Sequence, residues 1–96
     1  MYTVKLLTEA EIDITEACKW YEEQQSGLAR RFLKEVKHYL ALIAENPLQF
    51  EIKFSYRYRF APLKVFPYFI VYRFEEETKT VYVISVFHTS RNPANL

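Results

Sequence analysis

The spacing of apolar residues changes once along this chain, and the change divides it into a helical first half and a stranded second half. From Ala10 to Ile43 the apolar residues recur at helical intervals, whereas from Phe50 to Phe60 they alternate one for one with Glu51, Lys53, Ser55, Arg57 and Arg59. A chain of 96 residues with this order is bound to pack a few helices against one small sheet.

Before the first helix, Tyr2 to Leu7 reads as a short strand. Thr8-Glu-Ala-Glu11 then has the form of a capping box, in which the Thr8 hydroxyl and the Glu11 carboxylate would satisfy free backbone N–H groups. The helix that follows carries Ala10, Ile14, Ala17, Cys18 and Tyr21 on one face, with Glu16, Lys19, Glu22 and Glu23 away from its centre and Ile12 nearly opposite. Gly27 is the only glycine, and its place after Gln24-Gln25-Ser26 fits a helix end that needs a left-handed residue. A second helix places Leu28, Phe32, Val36, Tyr39 and Ile43 in one row, with Arg30, Lys34, Lys37 and Glu45 opposite, until Asn46-Pro47 stops it.

The alternating stretch from Phe50 to Phe60 reads as a half-buried strand with a basic outer face. Ala61-Pro62-Leu63 makes a turn into Val65 to Phe74, which is apolar on both faces as a central strand is, with Pro67 predicting a bulge near its start. An acidic turn, Glu75 to Thr78, leads to a last strand from Thr80 to Phe87. The fold class is α+β in the order β-α-α-β-β-β: one domain over residues 1–96, an antiparallel sheet with a helical hairpin packed on one face.

Composition narrows the function classes. The 13 Lys and Arg stand against 12 Asp and Glu, so the total charge does not argue for sequence-independent nucleic-acid binding. Eight Tyr, eight Phe and one Trp form a heavy apolar load for a small core, and part of it is expected to serve a partner surface. One cysteine, Cys18, allows neither an intramolecular disulfide nor a multi-thiolate metal site, and no apolar run is long enough to span a bilayer. The expectation is a cytoplasmic protein with no membrane association.

Lys53, Arg57 and Arg59 would form a row of cations along roughly 20 Å of one strand face, suited to phosphates or to the acidic residues of a protein partner. A merely solvated face fits the same pattern. His88 and Arg91 near the end of the sequence could join that row as a proton-transfer group and an oxyanion-stabilising one. Arg73 sits in an apolar strand, so it either pairs with the Glu75 to Glu77 turn or shares a surface with Arg57. Arg30, Lys34 and Lys37, flanked by Arg31 and His38, make a basic helical stripe, but no helix-turn-helix spacing, Gly-rich phosphate loop, serine-nucleophile elbow or paired-histidine metal motif accompanies it. No cofactor and no metal are expected. Ile12, Trp20, Phe69 and Val71 are the partner-contact candidates.

Phe66-Pro67-Tyr68, Ile70-x-Tyr72, Val86-Phe87-His88 and Arg91-Asn92-Pro93 together resemble the RelE/ParE superfamily of bacterial toxin–antitoxin toxins. Ala17-x-x-x-Tyr21-Glu22, Gly27-Leu28 with Phe32, Asn46-Pro47-x-x-Phe50 and Tyr58-Arg59 fall in the order that superfamily shows, so the resemblance covers nearly the whole chain and is closest to the ParE-like, plasmid-stabilisation branch. The resemblance implies a toxin held inactive by a cognate antitoxin wrapped across its surface, with DNA gyrase as target and no catalytic residue needed. RelE-like members instead cleave mRNA on the ribosome with sheet cations and a C-terminal tyrosine or histidine. On that alternative Arg57, Arg59, His88 and Arg91 are the catalytic candidates, and no tyrosine follows His88. A non-toxic binding module is the third reading.

Overall fold

The computed structural model describes residues 1–53 and 57–91. Its elements are β1 (Thr3–Leu6), α1 (Thr8–Gln24), α2 (Leu28–Glu45), a 3-10 turn (Pro47–Gln49), β2 (Arg59–Pro62), β3 (Tyr68–Glu75) and β4 (Thr80–His88). The order is the one read from the sequence. Strands β2, β3 and β4 form the antiparallel meander, and β1 adds to β4 in parallel, so the sheet is mixed, with spatial order β1-β4-β3-β2.

Helix α1 buries Ala10, Ala17 and Tyr21, with Ile14 and Cys18 packed against the core, which is the face its apolar spacing indicated. The capping box does not form. Leu7 holds the cap position in extended backbone, donating its N–H to Val83 O at 3.0 Å. That strand-like bond makes Thr8 the first helical residue rather than the cap.

Gly27 adopts φ +87°, the left-handed conformation its position required. The Glu22 carboxylate accepts the N–H groups of Gly27 and Ala29 at 3.1 and 3.3 Å, so an anion from α1 occupies the positive end of α2. Asn46 ends α2, and its side chain accepts the Leu48 N–H at 3.2 Å, starting the 3-10 turn at Pro47.

The largest departure from the sequence reading lies between Phe50 and Phe60. That stretch is not one strand: Ile52 bridges antiparallel to Arg59, and Phe60 donates its N–H to Glu51 O at 3.0 Å. The chain doubles back on itself, and residues 54–56 lie outside the described residues. Alternation gave the side-chain period and could not give the point of reversal.

Strand β3 also begins later than the apolar run suggested. The Glu35 carboxylate on α2 accepts the N–H groups of Lys64, Val65 and Phe66 at 3.1, 2.8 and 3.0 Å, and so fixes these residues in a turn before Tyr68. The bulge expected near Pro67 lies elsewhere. Val71 pairs with Ser85 and Tyr72 with Val83, which leaves Ile84 of β4 as the extra residue.

Between the helices and the sheet, Tyr21, Phe32, Phe66 and Tyr68 pack ring to ring, with Phe32 fully buried and the Phe32–Phe66 and Phe32–Tyr68 centroids 5.3 and 5.1 Å apart. Tyr72, also fully buried, donates its hydroxyl proton to Pro47 O and ties the sheet to the end of α2. On the opposite sheet face Phe60, Val71 and Phe87 form a second buried cluster, flanked by Tyr58, Phe69 and Ile84. Among the described residues no helix is long and apolar enough to cross a membrane.

Candidate functional site

Strand β1 stops at Leu6, level with Val83, while β4 runs on to His88. Beyond β1, helix α1 faces the flank of β4 across a groove of about 480 Å³ lined by Glu9, Asp13, Glu16, Trp20, Tyr21, Tyr68, His88 and Arg91. Such a volume lies within the range of about 300–1,000 Å³ usual for ligand-binding clefts.

The Ile84 bulge aims His88 into this groove. An extra residue in β4 reverses the alternation after it, so that Val86 joins the core on the helix side and His88, two residues on, faces the same way beside Tyr68. The His88 and Tyr68 rings meet edge to face at 5.0 Å, and His88 Nδ1 accepts the Ser90 N–H at 3.1 Å.

Asp13 closes the inner end. Its Oδ2 accepts the Ser85 hydroxyl at 2.8 Å and the Val86 N–H at 3.0 Å, taking the place of a strand partner where β1 has ended. Glu9 and Glu16 stand at the rim with Trp20, which is 56% exposed. Burial pushes the Tyr21 phenol up to about 12, with the neighbouring Tyr68 adding to it, and raises that of Tyr68 as well. Both phenols stay protonated at neutral pH and act as hydrogen-bonding walls, not as bases. Burial likewise raises the Cys18 thiol, which makes it a poor nucleophile.

The cations read from the sequence do not assemble into one row. Lys53 and Arg57 are exposed and lie outside any strand, and only Arg59 belongs to β2. The Arg59 guanidinium is half-buried, donates from Nη1 to Phe50 O at 2.7 Å and lies over the Phe74 ring at 5.8 Å. The doubling-back of the chain explains the difference, because it brings Arg59 against the segment that would have continued its own strand.

Arg73 pairs with Glu75 at 3.3 Å and stacks on Tyr82 at 4.4 Å, the structural account of the two considered. Arg59 pairs in register with Tyr72 and His88 with Tyr68, so the two sit about 13 Å apart along the strands, at roughly 3.3 Å per residue. His88 and Arg91 share the groove, and Arg59 belongs to β2 at the far edge of the sheet.

Of the partner-contact candidates, Ile12 and Trp20 are exposed on α1, and Ile12 lines a shallow depression of about 300 Å³ with Thr8, Glu11 and Thr15. Phe69 is half-buried and Val71 fully buried within the outer-face cluster. On α2, Arg30, Arg31, Lys34, Lys37 and His38 are exposed. Among the described residues no group of three or more His, Cys, Asp or Glu is placed to hold a metal ion.

The groove-lining Glu9, Asp13, Glu16, Tyr21 and Tyr68 were not singled out as site residues from the sequence. A signal for part of the set was there: Glu9, Asp13, Glu16 and Trp20 follow one another at helical spacing and form a single stripe of α1 beside its apolar face.

Residues 4–93 match the family model described as the ParE toxin of the type II toxin–antitoxin system parDE. A chain of the chromosomal ParDE toxin–antitoxin system from P. aeruginosa superposes with a TM-score of 0.80 at 13% identity, covering 94% of this chain and 98% of that one. The fold is also similar to the intact E. coli RelBE toxin–antitoxin complex, with a TM-score of 0.63 at 20% identity over 95% of this chain and 100% of that one. The isolated E. coli RelE toxin gives 0.62 at 20% identity over 99% and 92%. A search of curated proteins found no match. The family match extends from β1 through the whole described sheet, and the chain belongs to the ParE toxin family of type II toxin–antitoxin systems.

Proposed function

We propose that this chain is a cytoplasmic toxin that arrests growth by binding DNA gyrase and is neutralised by a cognate antitoxin. The family match over residues 4–93 carries this reading. The separation of the candidate cations supports it further: a gyrase inhibitor needs a binding surface, whereas RNA cleavage needs its acid, base and phosphate-stabilising groups within hydrogen-bond reach of one scissile bond. Arg59 is committed to Phe50 O and Arg73 to Glu75, which favours structural roles for both.

One observation favours the RelE-like alternative of a ribosome-dependent mRNA endoribonuclease. His88 and Arg91 line the same groove, so a proton-transfer group and a cation lie on one surface. A gyrase supercoiling assay with the antitoxin-free chain separates the readings. Loss of supercoiled product that antitoxin reverses is the expected result. Growth arrest without gyrase inhibition moves the target to the ribosome, and no growth arrest at all leaves a non-toxic binding module.

A further inference from the structure

We propose that the basic face of α2 is a contact for the phosphates of duplex DNA, by which the chain grips the DNA that its target holds. The inference rests on the gyrase reading above for that occupant, since gyrase acts on duplex DNA. Arg30, Arg31, Lys34 and Lys37 are all exposed on α2. By helical geometry they occupy roughly a third of its circumference and roughly 10 Å of its length. The Glu35 carboxylate also holds the backbone of the exposed Lys64 against the flank of α2, which sets a further cation beside the face.

The fold gains nothing from these charges. None of the four on α2 forms an ion pair among the described residues. The carboxylates that border the face are committed to backbone, Glu22 to Gly27 and Ala29 and Glu35 to Lys64, Val65 and Phe66. Arg30 and Arg31 stand in the first turn of α2, at the positive end of its dipole, and the last turn, where cations would stabilise, holds none. Arg30 with Lys34, and Lys34 with Lys37, set like charges against each other at helical spacing. Sequences keep such local conflicts at functional surfaces.

The composition of the face selects its occupant. Ala41 is the only exposed apolar residue of α2, so the face has no apolar or aromatic centre. Protein interfaces are built around such a centre and are depleted in lysine, whereas a phosphate backbone asks for cations alone. With one phosphate for roughly each 3.4 Å of a strand, the row spans about three of them. The groove beside α1 has no α2 residue in its lining and carries Glu9, Asp13 and Glu16. That side repels a polyanion, so the charge distribution turns α2 toward the DNA.

The experiment titrates the antitoxin-free full chain into a short fluorescent DNA duplex and follows its anisotropy at several salt concentrations. Binding should weaken with salt, and Arg30→Gln, Lys34→Gln and Lys37→Gln should each reduce the log–log salt slope by about 1. The three together should lower affinity at least about ten-fold and raise the concentration needed for half-inhibition of gyrase at least about ten-fold. The triple variant should melt no lower than the wild type, because the cations it loses stabilise nothing. Lys19→Gln, which removes the same charge from the exposed side of α1, should leave affinity and slope unchanged. No binding to the duplex, or an equal loss from Lys19→Gln, would overturn the contact. A triple variant that loses the duplex and still inhibits gyrase at the wild-type concentration would overturn its use at the target. Tighter binding to a duplex RNA of the same sequence would overturn the assigned occupant. Duplex binding through α2 by a chain without effect on gyrase would overturn the gyrase reading and leave the DNA contact standing.

Discussion

Asp13 of α1 reaches Ser85 of β4 across the helix–sheet contact, accepting the serine hydroxyl at 2.8 Å, and the same oxygen takes the Val86 N–H at 3.0 Å. One carboxylate therefore fixes the bulge that orients His88 and completes the edge that β1 leaves open. Asp13→Ala would strand a buried hydroxyl and a strand amide together, a loss of about 2 kcal/mol. At roughly 4–8 °C per kcal/mol for a domain of this size, its thermal midpoint should fall by about 10 °C. Asp13→Asn keeps an acceptor and should lose about half as much. Urea unfolding of both variants tests the order, and an alanine variant as stable as the wild type would remove Asp13 from this role.

A second carboxylate works at the other side of the hairpin. Glu35 gathers three consecutive N–H groups, from Lys64 to Phe66, and sets where β3 begins. Because its acceptor is charged, Glu35→Ala should cost about 3 kcal/mol, and Glu35→Gln, which can accept fewer of the three, about 1–2 kcal/mol. The urea m-value should stay constant while the midpoint moves, since the change is local.

These two acids mark the boundary of what the sequence makes legible. Element order, the helical hairpin, Gly27 and the stop at Asn46-Pro47 follow from periodicity and backbone chemistry, and the structure keeps them. Long-range acceptors such as Asp13 and Glu35 leave no local signature, because their partners are 72 and 29 residues away in sequence. The reversal between Ile52 and Arg59 is hidden for a different reason: a strand folding back on itself preserves the alternation that a single strand would show. In the groove, Trp20, His88 and Arg91 were visible as residue types, and the acidic stripe that joins them acquired meaning only once α1 lay beside β4.

Gly27 offers a test of backbone strain without steric contact. A methyl group there would meet nothing within 4 Å, yet φ is +87°. Gly27→Ala should therefore cost about 1–2 kcal/mol through the left-handed conformation alone. Replacement by Asn, which tolerates that region better, should recover part of the loss in a denaturant titration.

The buried phenols predict the alkaline limit of the fold. Desolvation raises both Tyr21 and Tyr72 to about 12, although Arg59 acts on Tyr72 in the opposite sense. In the unfolded chain both ionise near the ordinary value of about 10. Between these values the unfolded state releases protons that the folded state retains, so the stabilising contribution is full below about pH 10 and is lost as pH rises toward about 12. Thermal midpoints should decline through that window, and tyrosinate absorbance should show a late component coincident with loss of secondary structure. A late component that titrates without unfolding would show that the folded chain tolerates the charged phenols.

Arg59 and Arg91 should behave differently although both were read as candidates for the same task. Arg59 is half-buried, donates to Phe50 O at 2.7 Å and stacks on Phe74, so Arg59→Ala leaves a carbonyl without its charged donor and should cost about 1–3 kcal/mol. Arg91 is exposed at the groove mouth, and Arg91→Ala should change stability by no more than about 0.5 kcal/mol. Toxicity measured alongside unfolding then tells contact from scaffold: any loss caused by Arg59→Ala should follow its loss of stability and be restored at lower temperature, whereas a loss caused by Arg91→Ala should persist in a fully folded chain. If Arg59→Ala folds as stably as the wild type and still loses toxicity, Arg59 meets the target directly and its bond to Phe50 is incidental.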